Sequence, residues 1–348
     1  MRSAVLPANS PVKPADSQPP AAQLWLARYA KLVVVATFAL ILLGGHTTTS
    51  GAGMAFPDWP LSNGSLNPHG WWQDFMMRLE HGHRLTAGLV TTLISILFVW
   101  ICGRRAALPR AAFGLALGAI VGVFSQAVLG GLRVVLDPQG IAATTSTIAT
   151  TFRILHGCFA QVELCLVVSL AAVLSPIWPQ LVAQPAFRKV ARLAWLTTGF
   201  VFLQLIVGAT MRHLGAGLVI PTYPLMPDGA IMPKVHNAYI DLNFTHTRVL
   251  AALVVIHVLL LARRALASGE ARLERPALLL LVLLVTQLGL GMFVIWHLRP
   301  PLLTTIHVVN GAAVLATTVL IAVRASREAL IDSSSTSASH IHFTEAAA

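Results

Sequence analysis

The chain has 348 residues, of which 56% are apolar and only 11% are charged, far from the composition of an ordinary soluble domain. Its net charge of +11 would suit a nucleic-acid-binding protein, but the basic residues stand between long apolar runs and form no single basic segment. Composition therefore excludes a soluble globular enzyme and argues against a nucleic-acid partner.

Eight apolar runs follow one another along the chain, each long enough to cross a bilayer as a helix. Backbone groups in lipid must be hydrogen-bonded internally, and the ten-residue alternation of a membrane β-barrel is missing. The sequence therefore predicts an all-α integral membrane protein with eight transmembrane helices. The predicted spans cover about 27–47, 82–101, 111–132, 153–174, 190–212, 245–266, 276–297 and 301–323.

The basic residues are distributed unevenly between the two ends of these spans. Sixteen of the 24 lysine and arginine residues lie in the amino-terminal segment, in or beside the connections that follow even-numbered spans, or after the last span. The positive-inside rule then predicts that both termini are cytoplasmic and that even-numbered helices begin at the outer face. The ends of the chain, residues 1–26 and 327–348, are rich in small and polar residues and are predicted to be disordered.

The sequence contains an internal repeat. GAGMAFPDWPL, beginning at Gly51, recurs as GAGLVIPTYPL, beginning at Gly215. A Gln-x-x-x-Gly spacing also occurs in the third, fifth and seventh helices. Two tandem, pseudo-symmetric four-helix bundles are therefore predicted, over residues 27–178 and 179–326, related as parallel repeats. The three cysteines lie in or beside helices, so no disulfide is expected in an outer loop.

Each even-numbered helix carries a histidine near its outer end: His83, His156, His246 and His307. Imidazole is uncommon within lipid, and four at one depth suggest a shared kind of partner. Two pairs of axial haem ligands fit this pattern, with a small residue one turn away from each histidine so that a macrocycle can approach the helix. Structural zinc would need four ligands together. The alternative is four interfacial or core histidines bonded to neighbouring helices.

Charged residues near these histidines are the other candidates. Glu80 precedes His83 by three residues on the same helix face, and a carboxylate at this depth is a candidate catalytic group or a helix-start carboxylate. Arg84 and Arg248, with Arg133 as a weaker candidate, are predicted to bind haem propionates. Glu163 is expected either to carry protons or to bond Gln161 or another neighbour.

These residues resemble the haem A synthase family over about residues 30–325. The resemblance rests on Gly44-Gly45 leading into GAGMAFPDWPLSNG, on Glu80-x-x-His83-Arg84, on the Leu-Gly-Gly-Leu-Arg run ending at Arg133, and on His156, His246 and His307 near the starts of their helices. Many members have a cysteine pair in the first outer loop. Here Phe56 and Ser62 flank the PDWPL segment and the loop has no cysteine.

The resemblance implies an oxidoreductase of cytochrome oxidase assembly in a bacterial-type inner membrane. It would oxidise the C8 methyl of haem O to a formyl through a hydroxylated intermediate. His83 and His156 would face haem O, His246 and His307 would hold the iron of a resident haem b, and Glu80 would be catalytic. Expected partners are a haem O-producing farnesyltransferase, oxidase assembly factors, an unidentified electron donor and membrane lipid.

Two other functions fit the same residues. A dihaem b-type protein that exchanges electrons with quinol would also need paired histidines. His257, eleven residues after His246 and therefore about 16 Å deeper, suggests a second haem depth, although an interhelical hydrogen bond is the simpler interpretation. A haem transporter or chaperone would suit the duplicated architecture.

Overall fold

The computed structural model describes residues 21–136, 147–181 and 185–327. Eight long apolar helices make up most of these ranges, and no strand occurs within them. The predicted all-α membrane protein with eight spans is confirmed. The helices are α1 Ala21–Thr49, α2 Phe75–Gly103, α3 Arg110–Val135, α4 Thr147–Val173, α5 Pro185–His213, α6 Ala238–Leu266, α7 Ala271–Trp296 and α8 Pro301–Ala325.

Side-chain caps mark where several helices begin. Asp74 accepts a hydrogen bond from the Met77 N–H at the start of α2, and Asn237 accepts from two N–H groups at the start of α6. The first helix begins earlier than expected. Residues 21–26 are helical and Leu26 is buried, although the sequence placed them in a disordered lead. Residues 1–20 and 328–348 lie outside the described residues.

The two halves of the chain have the same pattern of helix contacts. In the first, α1 packs on α2, α2 on α3, α3 on α4, and α4 returns to α1. In the second, α5, α6, α7 and α8 form the same closed cycle. The division into two pseudo-symmetric bundles at residue 178 stays a prediction, because α8 packs on α1 and α4 as well as on its own half.

Helix α8 is central to the protein. In the most apolar stretch of α8, 67% of the residues are buried within the protein, whereas this share is at most 39% in the other seven helices. Small residues on α8 contribute to both hydrophobic clusters, with Ala312 and Ala316 in one and Val314 and Ala322 in the other. The last helix thus joins the two halves and sets how their sites lie relative to each other.

Helix α6 contains a π-helical segment, Thr245–Leu250, immediately around His246. A π turn accommodates one extra residue within a continuous helix. Buried positions after it match those of α2 at the same offset that relates the two loop motifs, as in Val90 with Val254 and Leu97 with Leu261. His83 and His246, however, are one position closer together than that offset. The π segment absorbs this difference and keeps both the histidine and the lower helix face in register.

Candidate functional site: four histidines seated on glycines

Each of the four histidines packs its ring against a glycine of the preceding helix. The pairs are His83 with Gly44, His156 with Gly130, His246 with Gly208, and His307 with Gly291. In all four, ring atom Cε1 is the atom nearest the glycine, and an added Cβ would lie 2.5–3.3 Å from it. At Gly44 and Gly208 the Cβ would displace the ring, and at Gly130 and Gly291 the ring would have to move by a few tenths of an ångström.

The ring nitrogens also share an unusual feature. The Nδ1 atom of each of the four histidines is enclosed in the protein and has no hydrogen-bond partner. Buried polar atoms are normally paired, so four unpaired imidazole nitrogens at matching positions indicate a site. His83 and His156 are near neighbours, as are His246 and His307.

Three glutamines support these seats from the helices that carry the glycines. Nε2 of Gln126 donates to the His156 carbonyl at 3.2 Å, and Nε2 of Gln204 donates to the His246 carbonyl at 2.8 Å. Gln287 lies 3.3 Å from Nε2 of His307. The Gln-x-x-x-Gly segments seen in the sequence therefore form three of the four histidine seats. In each, the glycine contacts the ring and the glutamine, one turn earlier on the same helix, bonds the same histidine.

Glu80 is buried near the amino-terminal end of α2, and both of its carboxylate oxygens are bonded. Oε2 accepts from the Phe56 N–H at 3.0 Å, and Oε1 lies 2.7 Å from the Arg84 guanidinium. Phe56 is fully buried and leads into the PDWPL segment. The carboxylate is thus held rigidly between the first outer loop and α2, one turn from His83.

Arg84 holds the loop between α1 and α2 over the end of the bundle. Its guanidinium donates to the carbonyls of Phe56, Asp58 and Leu61. Burial opposes ionisation of Asp58, but N–H donors from Gly64 and Asn63 and the nearby Arg84 charge outweigh it and lower the pKa of Asp58. The hydrogen bonds of Arg84 and Asp58 therefore fix the conformation of this loop.

Arg248 does the same in the second half. Its guanidinium donates to the carbonyls of Thr222, Pro224 and Leu225 in the PTYPL segment. Within the repeat, Thr222 and Leu225 correspond to Asp58 and Leu61, and Arg248 corresponds to Arg84. Both arginines therefore bind loop carbonyls in this structure, and propionate binding by them stays a prediction.

The two halves differ at the glutamate. Asn243 precedes His246 by three residues, as Glu80 precedes His83, and it is fully buried. Its Nδ2 donates to the Ala216 carbonyl at 2.9 Å. Both side chains therefore tie the outer loop to the helix, but the first half uses an acid and the second a neutral amide.

Small residues beside the histidines behave in two ways. A Cβ added at Gly88 or Gly157 would meet no atom within 4 Å, so the helix is open there, as the haem interpretation expects. Gly311 is different, because its added Cβ would lie 3.2 Å from both Gln287 and Leu205. That glycine serves helix packing around α8.

Two residues left open by the sequence have definite surroundings. The His257 ring bonds the Leu253 carbonyl within its own helix at 2.8 Å and packs on Phe200 of α5. The interhelical hydrogen bond at His257 is made by its backbone carbonyl, which accepts from Oγ1 of Thr197 at 3.5 Å, and not by the imidazole. Glu163 is buried, and neither of its carboxylate oxygens has a partner. Of the two roles expected for Glu163, the bond to Gln161 or a neighbour is therefore wrong, and carrying protons stays a prediction.

Comparison with known proteins places this arrangement in a family. Residues 72–319 match the family described as cytochrome oxidase assembly protein (COX15-CtaA). The chain belongs to the cytochrome oxidase assembly protein family. The matched region contains all four histidines, both loop-binding arginines and Glu80.

Relatives in this assembly family share most of the chain. A haem A synthase from Azorhizobium caulinodans is 27% identical over 93% of this chain and 99% of its own length. One from Symbiobacterium thermophilum is 30% identical over 72% of this chain and 79% of its own length. One from Bartonella bacilliformis is 26% identical over 86% of this chain and 90% of its own length.

The donor set of this family member fits haem better than a compact metal site. Among residues 21–136, 147–181 and 185–327, no three or more histidine, cysteine or acidic side chains come together as metal ligands. The imidazoles instead occur in two pairs between helices, with enclosed unpaired nitrogens and open helix surface at Gly88 and Gly157. Paired imidazoles in a helical bundle suit six-coordinate haem iron.

Proposed function

We propose that this protein is a haem A synthase, oxidising the C8 methyl of haem O to a formyl through a hydroxylated intermediate. The observation that carries the proposal is the fourfold histidine seat, combined with a buried glutamate in the first half alone. The names of the relatives and the family match support the same reaction. When bound, haem iron supplies the redox chemistry, and the protein orients the ring.

In this proposal the two halves hold different haems. His83 and His156 face the substrate haem O, and His246 and His307 ligate the iron of a resident haem b. The difference between Glu80 and Asn243 supports this assignment, because the half that performs chemistry needs an ionisable group. The half that holds a resident cofactor does not.

Glu80 is the proposed catalytic residue. Its bonds to Arg84 and to the Phe56 N–H hold it at one position, which is what a group acting on a single methyl carbon requires. The carboxylate then either accepts a proton or stabilises positive charge that develops at that carbon. Both roles need the carboxyl group itself rather than only its place in the loop.

The proposal also fixes a location and partners. The protein spans a bacterial inner membrane with cytoplasmic termini, and its histidine sites lie near the outer face. Haem O is delivered through lipid or from the farnesyltransferase that makes it, and haem A passes to oxidase assembly factors. The electron donor acts on the second half. The rival dihaem electron-transfer function expects haems at two depths, whereas the four paired histidines all lie near the amino-terminal ends of their helices.

Chromatography of haems from the purified protein tests the proposal, using a host that makes haem O but no haem A. Haem A or its hydroxylated precursor is expected alongside haem b. The matched controls are His83→Ala, expected to remove farnesylated haems, and His246→Ala, expected to remove haem b. Haem b alone, in cells that contain haem O, would contradict the proposal and favour electron transfer.

A further inference from the structure

Glu163 is a second buried acid that the proposed reaction does not use. It lies on α4, seven residues after His156, so both project from nearly the same face and about 10 Å apart along the helix. The contacts agree, since His156 packs on Gly130 and the Glu163 carboxyl packs on Gly122 of the same helix. Glu163 therefore lies deeper in the membrane on the histidine's side of α4.

The carboxyl of Glu163 is enclosed and unpaired. Only 5% of the residue is exposed, and neither Oε1 nor Oε2 has a hydrogen-bond partner. An unpartnered carboxyl inside a membrane protein costs free energy, which a ligand with a polar group at that depth would recover. The observation points to a ligand that carries a hydroxyl or similar group within the membrane.

The second half has no such group at the equivalent place. When His156 is aligned with His307, Glu163 corresponds to Val314. When the Gln-x-x-x-Gly segments of α3 and α7 are aligned, Gly122 corresponds to Leu283. Val314 belongs to the second hydrophobic cluster, and Leu283 packs against it. A glycine and an acid in one half are therefore replaced by two aliphatic side chains in the other.

The two haems of the proposed function differ in the same way. Haem b has only hydrocarbon substituents opposite its propionates, whereas haem O carries a hydroxyl there, on its hydroxyethylfarnesyl group. The charged propionates favour the outer face of the membrane, which turns the opposite edge inward, toward the depth of Glu163. An apolar Val314–Leu283 pair suits haem b, and a carboxyl suits the hydroxyl.

We propose that Glu163 is the specificity-determining residue that selects haem O in the first half, by hydrogen-bonding the hydroxyl of its farnesyl-bearing side chain. This inference rests on the proposed assignment of haem O to the first half. A site built to bond a hydroxyl discriminates strongly against the analogue that lacks it, because the buried polar group is then left unpaired. Selection by Glu163 would keep haem b out of the catalytic half.

The test is the ratio of farnesylated haems, taken together, to haem b in protein purified from cells that make both. Glu163→Val, which copies the second half, is expected to lower this ratio about tenfold while total haem per protein is kept. Glu163→Gln keeps a hydrogen-bonding group and is expected to lie between. The matched control is Gln161→Leu, because Gln161 is also buried on α4 with an unpaired Oε1 but projects from the opposite face.

The converse variant tests the same idea in the second half. Val314→Glu combined with Leu283→Gly is expected to raise the share of farnesylated haem. If Glu163→Val keeps the wild-type ratio of farnesylated haems to haem b, the inference is overturned. A wild-type ratio combined with slower haem A formation would instead indicate that Glu163 carries protons. Failure of the proposed function is distinct, since the wild-type protein would then contain no farnesylated haem at all.

Discussion

At the scale of single residues, the same side chains serve both structure and chemistry. Glu80 bonds a loop N–H and an arginine, and Asn243 performs the comparable loop contact without a charge. The position itself is therefore structural in both halves. Loop closure does not require an acid, since Asn243 achieves it with an amide. A substitution that removes only the charge of Glu80 can therefore separate its structural role from its chemical role.

Replacing Glu80 with glutamine tests that separation. Gln can still accept from the Phe56 N–H through Oε1, and although its Nε2 cannot accept from Arg84, that guanidinium keeps its bonds to the loop carbonyls. The loop and the haem content should therefore remain near wild type. Loss of the carboxylate should slow haem A formation about 10²-fold or more, the usual contribution of a positioned acid or base. The measurements are haem A produced per protein and total haem by spectroscopy. Full activity in Glu80→Gln would exclude a catalytic carboxylate.

A glycine-to-alanine series tests the histidine seats. An added Cβ would lie 2.7 Å from the His83 ring at Gly44 and 2.5 Å from the His246 ring at Gly208. At Gly130 and Gly291 the corresponding distances are 3.2 and 3.3 Å. Haem occupancy should therefore fall severely in Gly44→Ala and Gly208→Ala, in the first and second half respectively, and mildly in the other two.

The control for this series is Gly114→Ala near the start of α3, far from the histidines, where an added Cβ meets no atom within 4 Å. That variant should keep its haem, and alanine should stabilise the helix by about 0.5–1 kcal/mol. Equal occupancy in Gly44→Ala and Gly114→Ala, measured as haem per protein, would show that the ring does not depend on its glycine seat.

At the scale of helices, α2 and α6 solve the same problem with different lengths. In α2, His83 and Arg84 are adjacent, whereas Thr247 stands between His246 and Arg248 in α6. The π segment Thr245–Leu250 accommodates the extra residue, so the histidine meets its glycine and the arginine meets its loop in both halves. The insertion changes the helix locally without moving either contact.

Deletion of Thr247 should therefore be tolerated, which is unusual inside a transmembrane helix. The shortened α6 would repeat the His-Arg spacing of α2 and lose the π turn, with haem occupancy within about twofold of wild type. Deletion of Thr86 is the matched control, because α2 contains no π segment and its lower face would rotate by about 100°. Loss of haem in both deletions would contradict this account of the π segment.

At the scale of the whole molecule, α8 couples the two halves. It contacts α1 and α4 of the first half and α5 and α7 of the second. At the end of the helices that carries the histidines, Oγ1 of Thr305 on α8 lies 2.7 Å from that of Thr49 on α1, and Arg212 of α5 donates to the Gly45 carbonyl. The two histidine pairs are thus fixed relative to each other through packed helices, as transfer of electrons between them would require.

The orientation of this assembly in the membrane follows from charge and is open to direct labelling. Native Cys102 is exposed at the end of α2 predicted to be cytoplasmic, and Ile231, 77% exposed, lies in the opposite connection. A membrane-impermeant maleimide should label Ile231→Cys in intact cells. Cys102 should react only after the cells are opened. The reverse pattern would invert the predicted topology.

The sequence by itself determined the eight helices, the histidines and the repeat. Apolar length, charge asymmetry and a loop motif that recurs in the second half are local or periodic properties, which need no knowledge of packing. The start of α1 was missed by six residues, because small and alanine-rich segments give a weak boundary signal. The roles of Arg84 and Arg248 in holding the loops were also missed, since their acceptors are backbone carbonyls that no side-chain pattern reveals.

Only the tertiary structure decided what each polar side chain contacts. Glycine seats, the unpaired carboxyl of Glu163 and the intrahelical bond of His257 depend on which helix faces meet, within a few tenths of an ångström. The structure also revealed that a π turn lets His83 and His246 occupy equivalent places although they are one position out of step with the repeat. The sequence could not show this turn, because a π turn has no distinctive composition. Helix formation follows from the hydrophobicity of each segment, whereas the chemistry of a site follows from close packing between segments.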